Sequence, residues 1–323
     1  MDMKNFAFLA FSLLLCMSCS ADKNIDLVFE VSGSVPETLA LVCNADIHEI
    51  AVDGEGRGEC ILYGTDAAYA QVFCGDKRKM IYVEAGDKAV LSFSGDDFDG
   101  TFRFDGEKAP AVEYLNATEL KALPDSCYAL GFEEFLELTM DMEDLAAERL
   151  ESYGLDGIGN FTDMEKGRIR YSYASTLLMY PVAHQFMARN PFYKPDERYY
   201  QVIGSYAVET PMFADLREYR EFMTESAHAL DPENRDEKEL YPKLVAEMRY
   251  IIENYHEAKT VNALLHHIVL PYIETFGTDG TEEMADIYKS HVSDPYMMED
   301  FDDACAGWAT RTPAWKQLKP GRR

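Results

Sequence analysis

Apolar residues recur at every second position in the first third of the chain. Between Ile25 and Val31 they alternate with mostly polar residues, which is typical of a β-strand with one buried face. No helical spacing intervenes before about residue 106, so the pattern predicts an antiparallel β-sandwich or barrel over residues 25–106. Seven further strands are predicted between glycine and aspartate turn signals, at Leu39–Cys43, Ile47–Val52, Glu59–Tyr63, Tyr69–Cys74, Met80–Val83, Ala89–Phe93 and Thr101–Phe104.

From about residue 107 the spacing of apolar residues changes to three and four positions, which predicts amphipathic helices. Asp163 has the position of an N-cap, and Pro181 would kink or end the helix that follows it. The chain is therefore predicted to be α+β as two domains, the second being an all-α helical domain over residues 107–310. Its predicted helices are Phe132–Ser152, Asp163–Arg189, Glu197–Val208, Pro211–Ala229, Glu237–Asn254, Ala258–Phe276, Thr281–Val292 and Pro295–Trp308.

The N-terminus has the pattern of an export signal. Lys4 precedes an apolar run, Phe6–Leu15, whose ten residues would span about 15 Å as a helix, half of a bilayer core. This length favours a signal peptide over a membrane span. Ser18 directly before Cys19 resembles the lipobox of bacterial lipoproteins, in which the chain is cleaved before the cysteine and its sulfur is diacylated. The resemblance implies a signal peptide at 1–18, a lipid on Cys19 and a tether at 19–24, plain secretion being the alternative.

The composition narrows the partners that the chain can have. Its 30 basic and 58 acidic residues give a net charge of −28, which repels nucleic acid and anionic lipid headgroups. An export signal would also place the cysteines in an oxidising compartment, where disulfides can form. Their number beside Cys19 is odd, so at least one thiol is free or pairs outside the chain. A bridge among Cys43, Cys60 and Cys74 stays open, with buried free thiols as the alternative. The cysteines after Cys19 are Cys43, Cys60, Cys74, Cys127 and Cys305, and no two of them have Cys-x-x-Cys spacing.

Two Glu-x-x-His matches could place a carboxylate and an imidazole on one helix face, as in di-iron bundles. They are Glu225 with His228 and Glu253 with His256, and chance produces this spacing nearly as often. Adjacent His266 and His267 would point about 100° apart on a helix, so they cannot share a ligand from one face. We therefore expect no metal and no cofactor, and no catalytic motif is present.

An aromatic cluster in the helical part offers a second kind of site. Its members could stack on sugars or peptides, although aromatic residues at helical spacing are more often core. They are Phe192, Tyr193, Tyr199, Tyr200 and Tyr206.

Three short stretches of the chain carry a resemblance to a known family: Tyr82–Asp87, Phe104–Gly106 and Leu318–Gly321. They resemble the thioredoxin-like thiol-disulfide oxidoreductase lipoproteins of Gram-negative bacteria. In that family an acylated cysteine precedes a small β domain and a helical segment, and a Pro-Gly pair then opens the thioredoxin domain. The resemblance implies that residues 311–323 are the linker to such a domain. The family's Trp-Cys-x-x-Cys pair has no match within residues 1–323, so no catalytic residue is carried onto this chain.

Two functions stay open. The chain could be the non-catalytic accessory or scaffold part of a membrane-anchored thiol-disulfide oxidoreductase, whose active domain lies outside residues 1–323. Alternatively, it could be a stand-alone surface lipoprotein that binds a protein or a small ligand. Both place it in the cell envelope, and Ser20 after the lipidated cysteine resembles outer-membrane sorting, facing the periplasm or the surface. The expected partners are the membrane, through the lipid, and an envelope protein or thiol substrate, with no nucleic acid.

Overall fold

A computed structural model describes residues 24–43, 46–63 and 65–310. The predicted signal peptide, the lipidated Cys19 and the linker at 311–323 lie outside these residues. None of the helices in the described part of the chain is long and apolar enough to cross a membrane.

The first part of the chain forms two four-stranded sheets, with strand orders β4-β1-β7-β8 and β3-β2-β5-β6. Two separate sheets around one core make a sandwich, which confirms the predicted β architecture. All strand pairs are antiparallel except β1 and β7, which run parallel. The strands are β1 (Ile25–Ser32), β2 (Thr38–Cys43), β3 (Asp46–Ala51), β4 (Arg57–Leu62), β5 (Ala67–Cys74), β6 (Lys77–Glu84), β7 (Lys88–Ser94) and β8 (Arg103–Asp105).

The alternation read from the sequence becomes the inner and outer faces of the sheets. In β1 the side chains of Ile25, Leu27 and Phe29 are fully buried, and those between them are not. They meet residues of the opposite sheet such as Leu41 and Val72 in a shared core. Because β1 lies between β4 and β7, its backbone is hydrogen-bonded on both sides.

The second part is helical, as predicted, which confirms the α+β class. Its first long helix ends at Ser152, where the sequence places the end. The next helix begins at Phe161, two residues before the predicted N-cap, so Asp163 lies in the first turn. Phe161 is fully buried against Tyr82, and that burial accounts for the earlier start. The helices are α1 (Phe98–Thr101), α2 (Ala109–Ala117), α3 (Phe132–Ser152), α4 (Phe161–Met187), α5 (Glu197–Tyr206), α6 (Arg217–Leu230), α7 (Leu240–Asn254), α8 (Ala258–Phe276), α9 (Glu282–His291) and α10 (Pro295–Thr310).

The described residues divide into two compact units that are not contiguous in sequence. The sandwich unit comprises residues 24–119 and 150–163, and the helical unit comprises residues 120–149 and 164–310. The first unit therefore includes α2 and the loop that precedes α4. Helix α4 continues through Pro181 to Met187 in the helical unit, although a proline inside a helix removes one backbone donor.

A buried network of charged and hydrogen-bonded groups links the segments around Lys108 and Asn160 to the sandwich. The Lys108 ammonium lies 2.9 Å from a Glu84 oxygen and 4.0 Å from an Asp87 oxygen. The other Glu84 oxygen accepts hydrogen bonds from the Tyr82 hydroxyl and the Asn160 backbone N–H, both at 2.7 Å. Burial raises the pKa of the Asp87 carboxyl. We call these five residues the Lys108 network.

Candidate protein-docking face

The second half of α4 lies in a stretch without charged side chains. No Asp, Glu, Lys or Arg occurs from Tyr171 to Ala188, although a chain that is about a quarter charged would have about five in eighteen residues. The buried side of this stretch faces the helical core through Tyr171, Leu177 and Tyr180. Burial explains why the side of the helix that faces the core has no charged residues. It does not explain their absence from the other side, which is exposed.

The exposed side of α4 is apolar. Met179, Val182 and Phe186 follow one another at helical spacing along this side, and all three are exposed. Phe186 is 77% exposed, and Met187 beside it is also exposed. Phe192, in the turn after the helix, is 90% exposed. We call these five residues the α4 face.

The opposite side of α4 is fixed by hydrogen bonds to backbone carbonyls. The Tyr180 hydroxyl donates to the Leu130 carbonyl at 2.7 Å, and His184 donates from Nδ1 to the Tyr128 carbonyl at 2.8 Å. Burial raises the pKa of the Tyr180 hydroxyl, which keeps it a donor. Ring contacts add to this support, since the His184 and Tyr193 rings lie 4.4 Å apart. The α4 face is therefore presented from a helix that is held in place.

The end of α4 adopts a backbone conformation that its residue does not favour. The Asn190 N–H bonds to the Gln185 carbonyl and the Arg189 N–H to the Phe186 carbonyl, which is the Schellman pattern. This motif places Arg189 in the left-handed region, with φ of 54°. Glycine usually occupies this position, because a Cβ atom is disfavoured there.

We expect Arg189→Gly to raise the free energy of unfolding of the helical unit by about 1 kcal/mol, because glycine adopts positive φ without strain. Urea titration followed by tryptophan fluorescence measures the change. Arg189→Ala is the matched control, since it removes the same side chain and keeps the Cβ atom. Equal effects of the two variants would contradict the backbone explanation.

The α4 face has the chemistry of a docking surface. Contiguous exposed apolar side chains on an otherwise charged protein mark sites of interaction. Methionine and phenylalanine supply adaptable, polarisable contact area. The face offers neither an acid, a base nor a nucleophile, so its chemistry is binding.

Of the two Glu-x-x-His matches, one lies on a helix and the other does not. Glu225 and His228 both lie on α6, one turn apart. Glu253 lies near the end of α7, whereas His256 follows that end and is not helical. Within the part of the chain that the structure describes, no group of three His, Cys, Asp or Glu side chains is placed to hold a metal ion.

His266 and His267 both lie on α8 in the helical unit. The Tyr288 hydroxyl donates to the Met297 carbonyl at 2.8 Å, so His266 Nδ1, 2.8 Å from that hydroxyl, is the donor to it. Burial lowers the pKa of both imidazoles to about 4, so both are neutral at pH 7. The arrangement fits histidines at the edge of the core.

The aromatic cluster does not assemble into one site. Tyr199 and Tyr206 are buried core residues. Tyr193 packs on His184, and the Tyr200 ring lies 4.1 Å from the Arg235 guanidinium. Phe192 alone is largely exposed, and it belongs to the α4 face.

Four cysteines in the described part of the chain are half-buried free thiols: Cys60, Cys74, Cys127 and Cys305. Cys43 is buried. The open alternative of a bridge among the three sandwich cysteines is therefore not formed here. Burial raises the pKa of the Cys60, Cys74 and Cys305 thiols, which makes them weak nucleophiles.

A groove on the outer side of the first sheet is the alternative place for a small ligand. Its volume is about 480 Å³, and its walls include Glu30, Arg57, Ser92 and Ser94. Small-ligand sites are usually enclosed and largely apolar, whereas this groove is open and only about half apolar. The α4 face is the stronger candidate.

Comparison with protein-family models, with curated proteins and with solved structures finds no match to this chain. The resemblance to thioredoxin-like lipoproteins thus stays a prediction from short motifs. Apart from Phe192, a member of the aromatic cluster, the residues of the α4 face were not predicted from the sequence to form a site. The signal that reveals it is the absence of charge between Tyr171 and Ala188.

Proposed function

We propose that this chain is a non-catalytic, lipid-anchored scaffold of the bacterial cell envelope. The observation that carries the proposal is the position of β1 relative to Cys19. Five residues lie between Cys19 and Ile25, so six steps of chain, at most about 21 Å, would join the lipidated residue to the sandwich. The strand that follows is an inner strand, hydrogen-bonded to both β4 and β7. A pull on the anchor would thus be resisted by two ladders of hydrogen bonds.

The resemblance connects this scaffold with thiol-disulfide exchange. The raised pKa values of Cys60, Cys74 and Cys305 favour the thiol over the reactive thiolate. Redox chemistry in such a system would belong to a domain or a protein other than residues 1–323. The described chain would then hold that domain, or its substrate, at the membrane.

A second candidate is a surface lipoprotein that binds a protein without any redox role. The α4 face favours this function, because it is apolar, exposed and rigidly supported. The two candidates share the lipid anchor, which is therefore the first property to test.

We expect Cys19→Ala to move the full-length protein from the membrane fraction to the soluble fraction of its own cells, because the acylated sulfur is the proposed anchor and several acyl chains give lasting attachment. Immunoblots of fractionated cells measure the distribution. Cys16→Ala is the matched control and should leave the protein on membranes, since bulky Leu15 precedes that cysteine. Retention of the Cys19→Ala variant on membranes would contradict the proposal.

A further inference from the structure

A row of aromatic rings lies at the end of α8, in the helical unit. The Tyr241 ring on α7 lies 5.7 Å from the Tyr272 ring, which in turn lies 5.0 Å from the Phe276 ring. Phe276 is 58% exposed, and Leu240, which precedes Tyr241 in the chain, is also exposed. We call these four residues the α8 patch. Adjoining apolar side chains that stay exposed mark a site of interaction.

The described part of the chain ends beside the α8 patch. Trp308 on α10, two residues before that end, donates a hydrogen bond from its indole nitrogen to the Ile273 carbonyl of α8. Its ring also lies against Gly277, where a Cβ atom would be 3.2 Å from the indole. Gly277 directly follows Phe276 in the chain. The residues that follow α10 therefore start close to the α8 patch.

The loop after α8 gives the patch an acidic border. The loop starts at Gly277 and leads into α9, where the Met284 N–H donates to the Tyr241 hydroxyl at 3.4 Å. Between these two contacts with the patch lie exposed Asp279 and Glu282, and no Lys or Arg. Burial raises the pKa of the Tyr241 hydroxyl, and the Glu282 carboxylate raises it further, so this charge lies near the patch.

The two basic side chains of the neighbouring helix α7 are already paired with acids. Arg249 pairs with Glu283, and the Lys243 ammonium lies 3.5 Å from a Glu247 oxygen. Among the ion pairs of the described residues, none includes either exposed carboxylate of the loop after α8. The border of the patch thus keeps two carboxylates for a basic partner.

The segment that follows α10 has the complementary charge. Residues 260–310 contain ten acidic residues and one basic residue, whereas residues 311–323 contain five basic residues and no acidic one. Trp315 and Leu318 lie three positions apart in this segment, a spacing that places two side chains on one side of a helical turn. Trp315 follows Trp308 by seven residues, at most about 25 Å of chain, so its ring can reach the α8 patch.

We propose that residues 311–323 dock on the α8 patch, with Trp315 against the aromatic rings and the basic side chains against the acidic loop after α8. The inference goes beyond the proposed function and does not depend on the lipid anchor. Because the segment is joined to α10, its effective concentration at the patch is on the order of millimolar, which favours it over a second copy or another protein. Docking would give the predicted linker a fixed starting point on the helical unit.

Carbodiimide coupling of the full chain, with Cys19→Ala so that no lipid is present, tests the inference. The reagent joins a lysine amine to a carboxylate only where the two are in contact. We expect an amide between Lys316 or Lys319 and Asp279 or Glu282, identified by mass spectrometry of the digest. In a mixture of ¹⁵N-labelled and unlabelled chains, docking within one chain gives joined peptides of a single label. Joined peptides of mixed label, or no amide between these residues, would overturn the inference.

Two pairs of variants test the apolar part of the contact. Trp315→Asp should lower the initial coupling rate roughly tenfold, because a carboxylate would replace the ring that packs on the patch. Thr312→Asp is the matched control, since it adds the same charge to the same segment and should change the rate little. Phe276→Ser should also lower the rate, whereas Phe186→Ser, at an exposed phenylalanine of the α4 face, should not. Equal rates within either pair would contradict docking on the α8 patch.

Discussion

Lys108→Ala is expected to destabilise the sandwich unit by about 3–5 kcal/mol, the cost of removing one partner from a buried ion pair. Lys108 is only 4% exposed, and its ammonium faces two carboxylates, those of Glu84 and Asp87. Without it, the two negative charges would remain close together and poorly hydrated. The segment around Asn160, which donates to Glu84, would lose its attachment as well.

Alkylation of Cys43, followed by mass spectrometry, measures this loss. Cys43 is buried in the sandwich core, so its thiol reacts only when the unit opens. The expected destabilisation corresponds to roughly 150- to 5,000-fold faster labelling when reclosing outpaces the reaction. Lys88→Ala is the matched control, because Lys88 pairs with Asp26 at 3.3 Å with its side chain 77% exposed. That variant should change stability by about 0–1 kcal/mol. Similar labelling rates for the two variants would contradict the assignment of a buried network.

Glu247→Gln is expected to stabilise the helical unit at pH 8 and to have little effect at pH 5. Glu247 is 3% exposed on α7, and burial raises its carboxyl pKa from 4.5 to about 7, against the lowering effect of Lys243. The folded state therefore binds this proton more tightly than the unfolded state does. The stability contributed by this bound proton is fully present below pH 4.5 and is lost as the pH rises through 7. The free energy of unfolding of the variant, relative to that of the wild type, should therefore increase by about 2–3 kcal/mol from pH 5 to pH 8.

Urea unfolding at the two pH values measures this difference. In a Trp315→Phe background, the fluorescence comes from Trp308 on α10, in the same unit as Glu247. Glu253→Gln, at an exposed position of the same helix, is the control and should show no such growth. If the difference in unfolding free energy between Glu247→Gln and the wild type is the same at pH 5 and at pH 8, the Glu247 carboxyl is not protonated near neutral pH.

The strands were predictable because one face of each sheet is buried, and that burial leaves a period of two in the sequence. The parallel pairing of β1 with β7 was not predictable in this way. It joins residues about sixty positions apart, as in the pairing of Leu27 with Ala89, and no local pattern specifies such a partner. The start of α4 was missed for a similar reason, because the burial of Phe161 against Tyr82 is a tertiary contact.

The stretch Tyr82–Asp87, noted in the sequence as a family resemblance, has a physical role in the structure. Tyr82 and Glu84 share a hydrogen bond, and Asp87 accepts from the Glu84 backbone N–H at 2.7 Å. These residues belong to the Lys108 network, whose other members lie far along the chain. Gly159 shows how closely the parts fit, since a Cβ atom there would lie 2.2 Å from a Glu84 oxygen. Such a fit is visible only once the segments are brought together.

The α4 face could not be recognised from periodicity alone. A helix that is apolar all round is read as buried, and the sequence does not show which side stays exposed. The structure distinguishes Phe186, which is exposed, from Tyr180, which is buried two turns earlier. The face gives the proposed scaffold a means of holding a partner, and the anchor gives it a place to do so.

The lipid on Cys19 is the claim on which this account depends most, and one mass measurement tests it directly. The protein is isolated from the membranes of its own cells, digested with trypsin, and searched for the peptide that ends at Lys23. We expect a peptide that begins at Cys19 and carries acyl chains on its sulfur. A peptide that begins at another residue, or a Cys19 with an unmodified thiol, would contradict it.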